Sequence, residues 1–99
     1  MKSAPGFPGS RKAAVLHDDD DVAVLLEALA QDTVVMVTRR GETISLQLRE
    51  ALPLGHKIAL RDLPAGHHVR KYGEVIGALR HPVTASDHVH VHNLYSLRG

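Results

Sequence analysis

From Leu52 onward, proline and glycine break the chain into apolar segments of strand length, and this cadence limits the fold more than any other feature. KIAL (57–60) runs into the turn DLPAG (62–66), after which come HVRKYG (68–73), EVIGAL (74–79) and HVHVHNL (88–94). Pro and Gly interrupt regular structure and favour turns, so the second half is predicted to be almost entirely β. In the first half, KAAVLH (12–17) reads as an opening strand ending in His17, and TVVMVT (33–38) and TISLQLR (43–49) read as a hairpin joined by RRGE. Ile44, Leu46 and Leu48 alternate with Ser45 and Gln47, the period of a half-buried strand. Between these strands Val22, Leu25, Leu26 and Leu29 fall at i, i+3, i+4 and i+7. That spacing predicts one short amphipathic helix, capped by Asp20 or Asp21 of the run DDDD (18–21). Carboxylates also suit the positive end of a helix dipole, and a share in metal binding is the other reading of the run. The fold class expected is mainly β with one short helix.

Ninety-nine residues make one small domain, too small to enclose a deep active site easily, so a partner subunit is anticipated. Only Phe7, Tyr72 and Tyr95 are aromatic, which leaves an aliphatic core. Twelve Lys and Arg against eleven Asp and Glu give a formal charge of +1, no field for a nucleic acid or a membrane surface. The absence of cysteine excludes disulfides, Cys-ligated zinc and thiol nucleophiles. The opening MKSAPGFPGSRK has no apolar run of signal-peptide type and no segment approaches transmembrane length, so a cytoplasmic protein is expected. Residues 1–11 hold two Pro, two Gly and two Ser and are expected to form a flexible arm ahead of a domain spanning 12–99.

The second half contains a faint echo: ALRDLPAGHHV (59–69) resembles ALRHPVTASDHV (78–89), with one extra residue in the second copy. Two similar hairpins facing each other are one reading, and chance similarity is the other. The second copy leads into three histidines at alternate positions. On a strand His88, His90 and His92 share one face while Val89 and Val91 point to the core. Neighbouring histidines of the three lie roughly 6.5 Å apart and the outer two roughly 13 Å, so a metal would take one adjacent pair plus a ligand from elsewhere. His17, directly before a predicted helix, is the first outside candidate, and His56 in LGHK the next. His67, His68 and His81 fit solvated loop positions. Lys57, Lys71 and Tyr72 complete the polar residues of interest: a desolvated lysine can hold a carboxylate or move a proton.

The order of four motifs carries more weight than any one of them. LHxDDxVAVLLEAL, LPLGHKIALRDLPAG, VRKYGEVIGAL and HVHVHNL together resemble the N-terminal part of the altronate and galactarate dehydratase family over residues 14–94. The resemblance implies a SAF domain with a β-clip fold. It also implies a role in dehydrating sugar acids to 2-keto-3-deoxy acids, a divalent metal (iron or manganese), and a large catalytic subunit as partner. By the same resemblance His17 matches the LH histidine, His56 and Lys57 the GHK, Lys71, Tyr72 and Gly73 the KYG, and His88, His90, His92 and Asn93 the HVHxHN. The roles expected are catalytic for His56, Lys57, Lys71 and Tyr72, substrate-binding for His88 and Asn93, and metal-ligating for His17, His90 and His92. Departures from the family pattern are Asp18 for Pro, Asp21 for Asn, and Ser86 and Asp87 for Gly and Glu, of which Ser86 costs a turn glycine.

On this reading the chain is a small subunit, inactive alone, that adds His and Lys side chains to a shared site for a small sugar acid, with no nucleic acid or membrane as partner. A homo-oligomer is the alternative assembly for the isolated chain. Two rival functions stand beside it: a SAF binding module for a sugar or anion that performs no chemistry, and the small subunit of a sulfolactate sulfo-lyase. Segment 39–50 is the least family-like and is where substrate or partner would be distinguished.

Overall fold

β2 (Val22–Leu25) and β5 (Lys57–Ala59) pair antiparallel at the centre of the molecule, with Val22 opposite Ala59 and Ala23 opposite Ile58. This is a computed structural model, and it describes residues 12–97. β1 (Ala13–Ala14) and β8 (His88–Val89) extend that pair into a four-stranded sheet in the order β1-β2-β5-β8. The hairpin of β3 (Val34–Arg39) and β4 (Glu42–Gln47) stands apart as a two-stranded sheet, and β6 (His68–Lys71), β7 (Glu74–Leu79) and β9 (Leu94–Tyr95) form a third in the order β6-β7-β9. Side chains of the central strands alternate between two cores. Ala23, Leu25 and Ile58 pack with Val35, Val37, Leu46 and Leu48 of the first hairpin. Val22 and Ala59 pack with Val69 and Leu79 of the second. The central strands are thus covered on both faces, which explains their unbroken apolar sequence VAVL.

That double burial corrects the expected helix. Among the described residues there is no helix, and Val22–Leu25 is a strand with Val22, Ala23 and Leu25 all buried. The run Val22, Leu25, Leu26, Leu29 mimics a helical stripe because a strand buried on both faces does not alternate. The expected first strand is also shorter than 12–17, since the chain turns at His17 and Asp20 N donates to His17 O. The hairpin expected over 33–49 forms, with Arg39 opposite Glu42. The arm expected over 1–11 lies outside the described residues.

Four turns of one kind hold the sheets together. Leu29, Leu52, Leu63 and Val83 each make an isolated bridge, in the pairs Leu29–Leu52 and Leu63–Val83. Three residues later the chain adopts a positive φ in every case: Asp32 (71°), Gly55 (87°), Gly66 (83°) and Ser86 (77°). That N–H crosses to the segment leading into the partner turn, Asp32 to Leu48 O and Gly55 to Leu25 O, Gly66 to Leu79 O and Ser86 to Ala59 O, at 2.8–2.9 Å. Each turn also closes on itself, for example His56 N to Pro53 O at 3.4 Å and Asp87 N to Thr84 O at 3.0 Å, with the positive φ at the third residue that a type II turn requires. The echo between 59–69 and 78–89 is therefore one reciprocal clasp, and turns at 29–33 and 52–56 form a second. Ser86 occupies a left-handed position held by glycine in two of the other three copies. Both hairpins close on residue pairs with two positive φ values, Arg40–Gly41 and Tyr72–Gly73, the pattern of a type I′ turn.

Candidate functional site

The clasps deliver histidines. His56 leaves the turn at 52–56 directly before β5, and His88 leaves the turn at 83–87 as the first residue of β8. β5 pairs with β8 antiparallel, Lys57 opposite Val89 and Ile58 opposite His88, and the same register carried outward sets His56 against His90. The result is a stack of imidazoles. Ring centroids of His56 and His90 are 4.8 Å apart, those of His56 and His88 5.0 Å, and those of His88 and His90 5.2 Å, with interplanar angles of 12–30°. His56 Nδ1 and His88 Nε2 lie 2.9 Å apart and share a proton, one as donor and the other as acceptor. His92 stands on the flank, its ring 5.2 Å from that of His88 and tilted by 42°.

The C-terminal histidines do not form the alternating strand the sequence predicts. β8 ends at Val89, and the chain turns through His90–Asn93 before β9. Asn93 makes that turn: its Oδ1 accepts from His90 N at 2.9 Å and its Nδ2 donates to His88 O at 2.7 Å. Val89 is fully buried as expected, but Val91 is 74% exposed at the tip of the turn instead of facing the core. Asn93, 7% exposed and engaged at both ends of its amide, positions the histidines by holding their backbone.

Two rings of the cluster are shifted toward their neutral form. Desolvation lowers the His88 pKa from its ordinary 6.5, aided by neighbouring imidazoles and opposed by Glu50. His90 is lowered by desolvation and then by His56, Lys57 and His92. Lys57, half-buried, is pushed down by desolvation and by the like charge of Lys71. Neither lysine has a carboxylate within 4.0 Å among the described residues. Lys71 lies over its neighbour's ring, Nζ 5.4 Å from the centroid of Tyr72. An open cleft of about 240 Å³ adjoins the rings and is lined by His88 and His92 together with Glu50, His81 and Asp87. A larger depression of about 410 Å³ is lined by Asp32, Gln47, Arg49 and Ser86, with no histidine or lysine among its described lining residues.

Of the residues singled out by sequence, the fold unites His56, His88, His90 and His92, with Lys57 near enough to repel a charge on His90, and Lys71 near enough to repel Lys57. One nitrogen from each of His56, His88 and His90 falls within 4.8 Å of the other two. Ligand nitrogens on a metal at about 2.1 Å sit roughly 3–3.5 Å apart, so ring rotations would be needed to bring all three onto one ion. The lowered pKa of His88 and His90 keeps those rings neutral, as ligation requires. His17 is placed elsewhere. Its ring packs on Gly73, where an added Cβ would lie 3.0 Å from three ring atoms, and its Nδ1 accepts from Asp19 N.

The acidic run caps no helix; it ties down both hairpin turns. Arg40 donates to Asp18 O (3.1 Å) and to Asp19 Oδ1 (2.8 Å). Asp20, fully buried, accepts from Gly73 N (2.7 Å) and Tyr72 N (3.0 Å). Asp21 accepts from Arg70 N (2.8 Å) and Arg61 Nη2 (2.9 Å), while His67 Nε2 touches its Oδ2 at 3.2 Å out of line for a hydrogen bond. Tyr72 itself is 64% exposed. Sequence reasoning missed Glu50, which carries no local signal within the least family-like segment.

Comparison with known proteins follows the same outline. A sequence profile described as the altronate/galactarate dehydratase SAF domain matches residues 11–97. The (2R)-sulfolactate sulfo-lyase subunit alpha of Chromohalobacter salexigens is 34% identical over 88 residues, covering 85% of this chain and 94% of that protein. Altronate dehydratase of Escherichia coli is 42% identical over 78 residues, 79% of this chain but 15% of that enzyme. Galactarate dehydratase (L-threo-forming) of Escherichia coli is 40% identical over 62 residues, 11% of its length. These relatives are lyases, and the dehydratases extend far beyond the shared domain. Among the described residues no helix is long and apolar enough to cross a membrane.

Proposed function

The chain belongs to the altronate/galactarate dehydratase SAF-domain family, and from that premise we propose that it is the small subunit of a metal-dependent lyase acting on a hydroxycarboxylate. In the leading form of this reading the substrate is a sugar acid of the altronate or galactarate type, water leaves, and a 2-keto-3-deoxy acid forms. The observation that carries it is the stacked His56–His88–His90 cluster, in which one nitrogen of each half-buried ring lies within 4.8 Å of the other two. Such a cluster offers groups for chemistry without enclosing a substrate, and a large catalytic subunit is the partner that completes it.

The reaction removes a weakly acidic proton beside a carboxylate and expels hydroxide, a poor leaving group, so negative charge builds on oxygen in both steps. His56, His88 and His90 are the residues that would hold the implied divalent ion, iron or manganese in type. Bound there, it supplies Lewis acidity toward the carboxylate and adjacent hydroxyl. Lys57, whose ammonium form is disfavoured by burial, is suited to take the α-proton. The freed electron pair forms the carbon–carbon double bond as the β-hydroxyl departs, protonated by His92 on the flank of the cluster. The resulting enol tautomerises to the ketone.

The chain alone is expected to show little or no turnover, and the chain with a dehydratase-type large subunit is expected to convert altronate or galactarate. Failure across a panel of hexarates and hexonates overturns the sugar-acid form. A second reading, elimination of sulfite from sulfolactate, is supported by the match over 94% of the length of a sulfo-lyase small subunit. Assaying the same reconstituted pair with sulfolactate separates the two.

A further inference from the structure

We propose that the larger polypeptide seats on the histidine-bearing turns themselves, anchored by Leu54 and Val91, and presents a carboxylate to Lys71. The inference rests on the lyase-subunit reading and adds to it the docking surface and the chemistry of the opposing one. Among the described residues the three most exposed large apolar side chains are Val91 at 74% and Leu54 and Tyr72 at 64% each. Every one of them lies within two positions of a site residue: Leu54 before His56, Tyr72 after Lys71, Val91 between His90 and His92. Exposed leucine and valine gain nothing for the isolated domain, whereas an apolar anchor seated in a partner's pocket contributes most of an interface's free energy.

The 4.8 Å stack of His56 on His90 joins the turn that carries Leu54 to the turn that carries Val91, so the two anchors flank one cluster. The charge pattern selects the partner. Among the described residues Lys71 has no carboxylate within 4.0 Å, while Asp19, Asp20 and Asp21 are engaged with Arg40, Arg61 and hairpin backbone. A complementary surface therefore brings Asp or Glu, with apolar pockets around them.

The test is binding of the full chain to purified large subunits of the altronate-dehydratase and sulfo-lyase types, by calorimetry and light scattering. Wild type is expected to form a 1:1 pairing of chains with one of them. Leu54→Asp and Val91→Asp are each expected to weaken it at least about tenfold, and Met36→Asp, 59% exposed on β3, to leave it unchanged. Hydrogen exchange on the wild-type complex gives a readout free of any folding defect in the variants, with protection expected at amides 54–57 and 88–93. Unchanged affinity in both variants, or protection confined to the β3–β4 hairpin, overturns the docking surface and leaves the lyase reading standing. Failure of wild type to bind any large subunit overturns the lyase reading and the surface together, and a homodimer dissolved by the same substitutions overturns the choice of partner.

Discussion

The run Asp18–Asp21 and the cluster His56, His88, His90 and His92 each concentrate four titratable residues, and the fold uses them in opposite ways. Asp20 is fully buried and both of its oxygens accept backbone N–H groups. Asp19 and Asp21 are matched to Arg40 and Arg61. Each bond from a backbone N–H to the buried Asp20 carboxylate contributes about 1.5–3 kcal/mol, so the acidic run is structure. The imidazoles, by contrast, remain partly open, and among the described residues His90 and His92 make no ring hydrogen bond. Their contacts are mostly with each other. A group of donors with so few partners of its own is a candidate site, and the contrast separates two kinds of titratable cluster that composition alone treats alike.

Asp20→Ala attacks this comparison most strongly. It strands two amides in the Tyr72–Gly73 turn and is expected to cost about 3 kcal/mol, lowering Tm by roughly 15 °C in thermal unfolding. His90→Ala is expected to change stability by no more than about 0.5 kcal/mol. Equal losses for the two variants would erase the distinction. Ser86→Gly sharpens it from the other side, because it relieves a left-handed serine in the turn that delivers His88. A gain of about 1 kcal/mol in urea unfolding is expected, with the ring stack intact.

The smallest expected effect is the pH dependence, and its two limbs belong to the two regions. His88 and His90 have folded pKa values below the ordinary 6.5, so in the window just under 6.5 the unfolded chain binds more protons. Their contribution is fully present above 6.5 and declines as pH falls toward the folded values. The Asp19 carboxyl is held below its ordinary 3.8 chiefly by the hydrogen bond from Arg40, so its contribution persists above 3.8 and is lost further into acid. Denaturant midpoints measured from pH 8 to pH 3 should fall in those two stages. Substituting His88 and His90 should remove only the upper one.

Much of the fold was legible where one face is solvent and the other core. Ile44, Leu46 and Leu48 alternate with polar residues, and the hairpin they predict is present. Legibility failed where burial is two-sided, as in VAVL at β2, since the period that separates strand from helix disappears when both faces are covered. It failed again at HVHVHN, where Asn93 reaches back to His88 and His90 and overrides a clean alternation with a side-chain turn. The candidate site was half legible. The histidines themselves are conspicuous, but the pairing of His56 with His88 and His90, 32 and 34 positions away, follows from the β5–β8 register, which no local signal announces. The echo revealed one clasp only, because in the other Asp32 adopts a glycine's conformation without being glycine.

Turnover by the chain reconstituted with its large subunit, compared between wild type and the double variant His56→Ala, His90→Ala, tests the central assignment most directly. A fall of at least about 100-fold at an unchanged Tm is the expected result, since the rings then serve the reaction and not the fold. Turnover within about twofold of wild type would contradict it and return the cluster to the surface of an ordinary β domain.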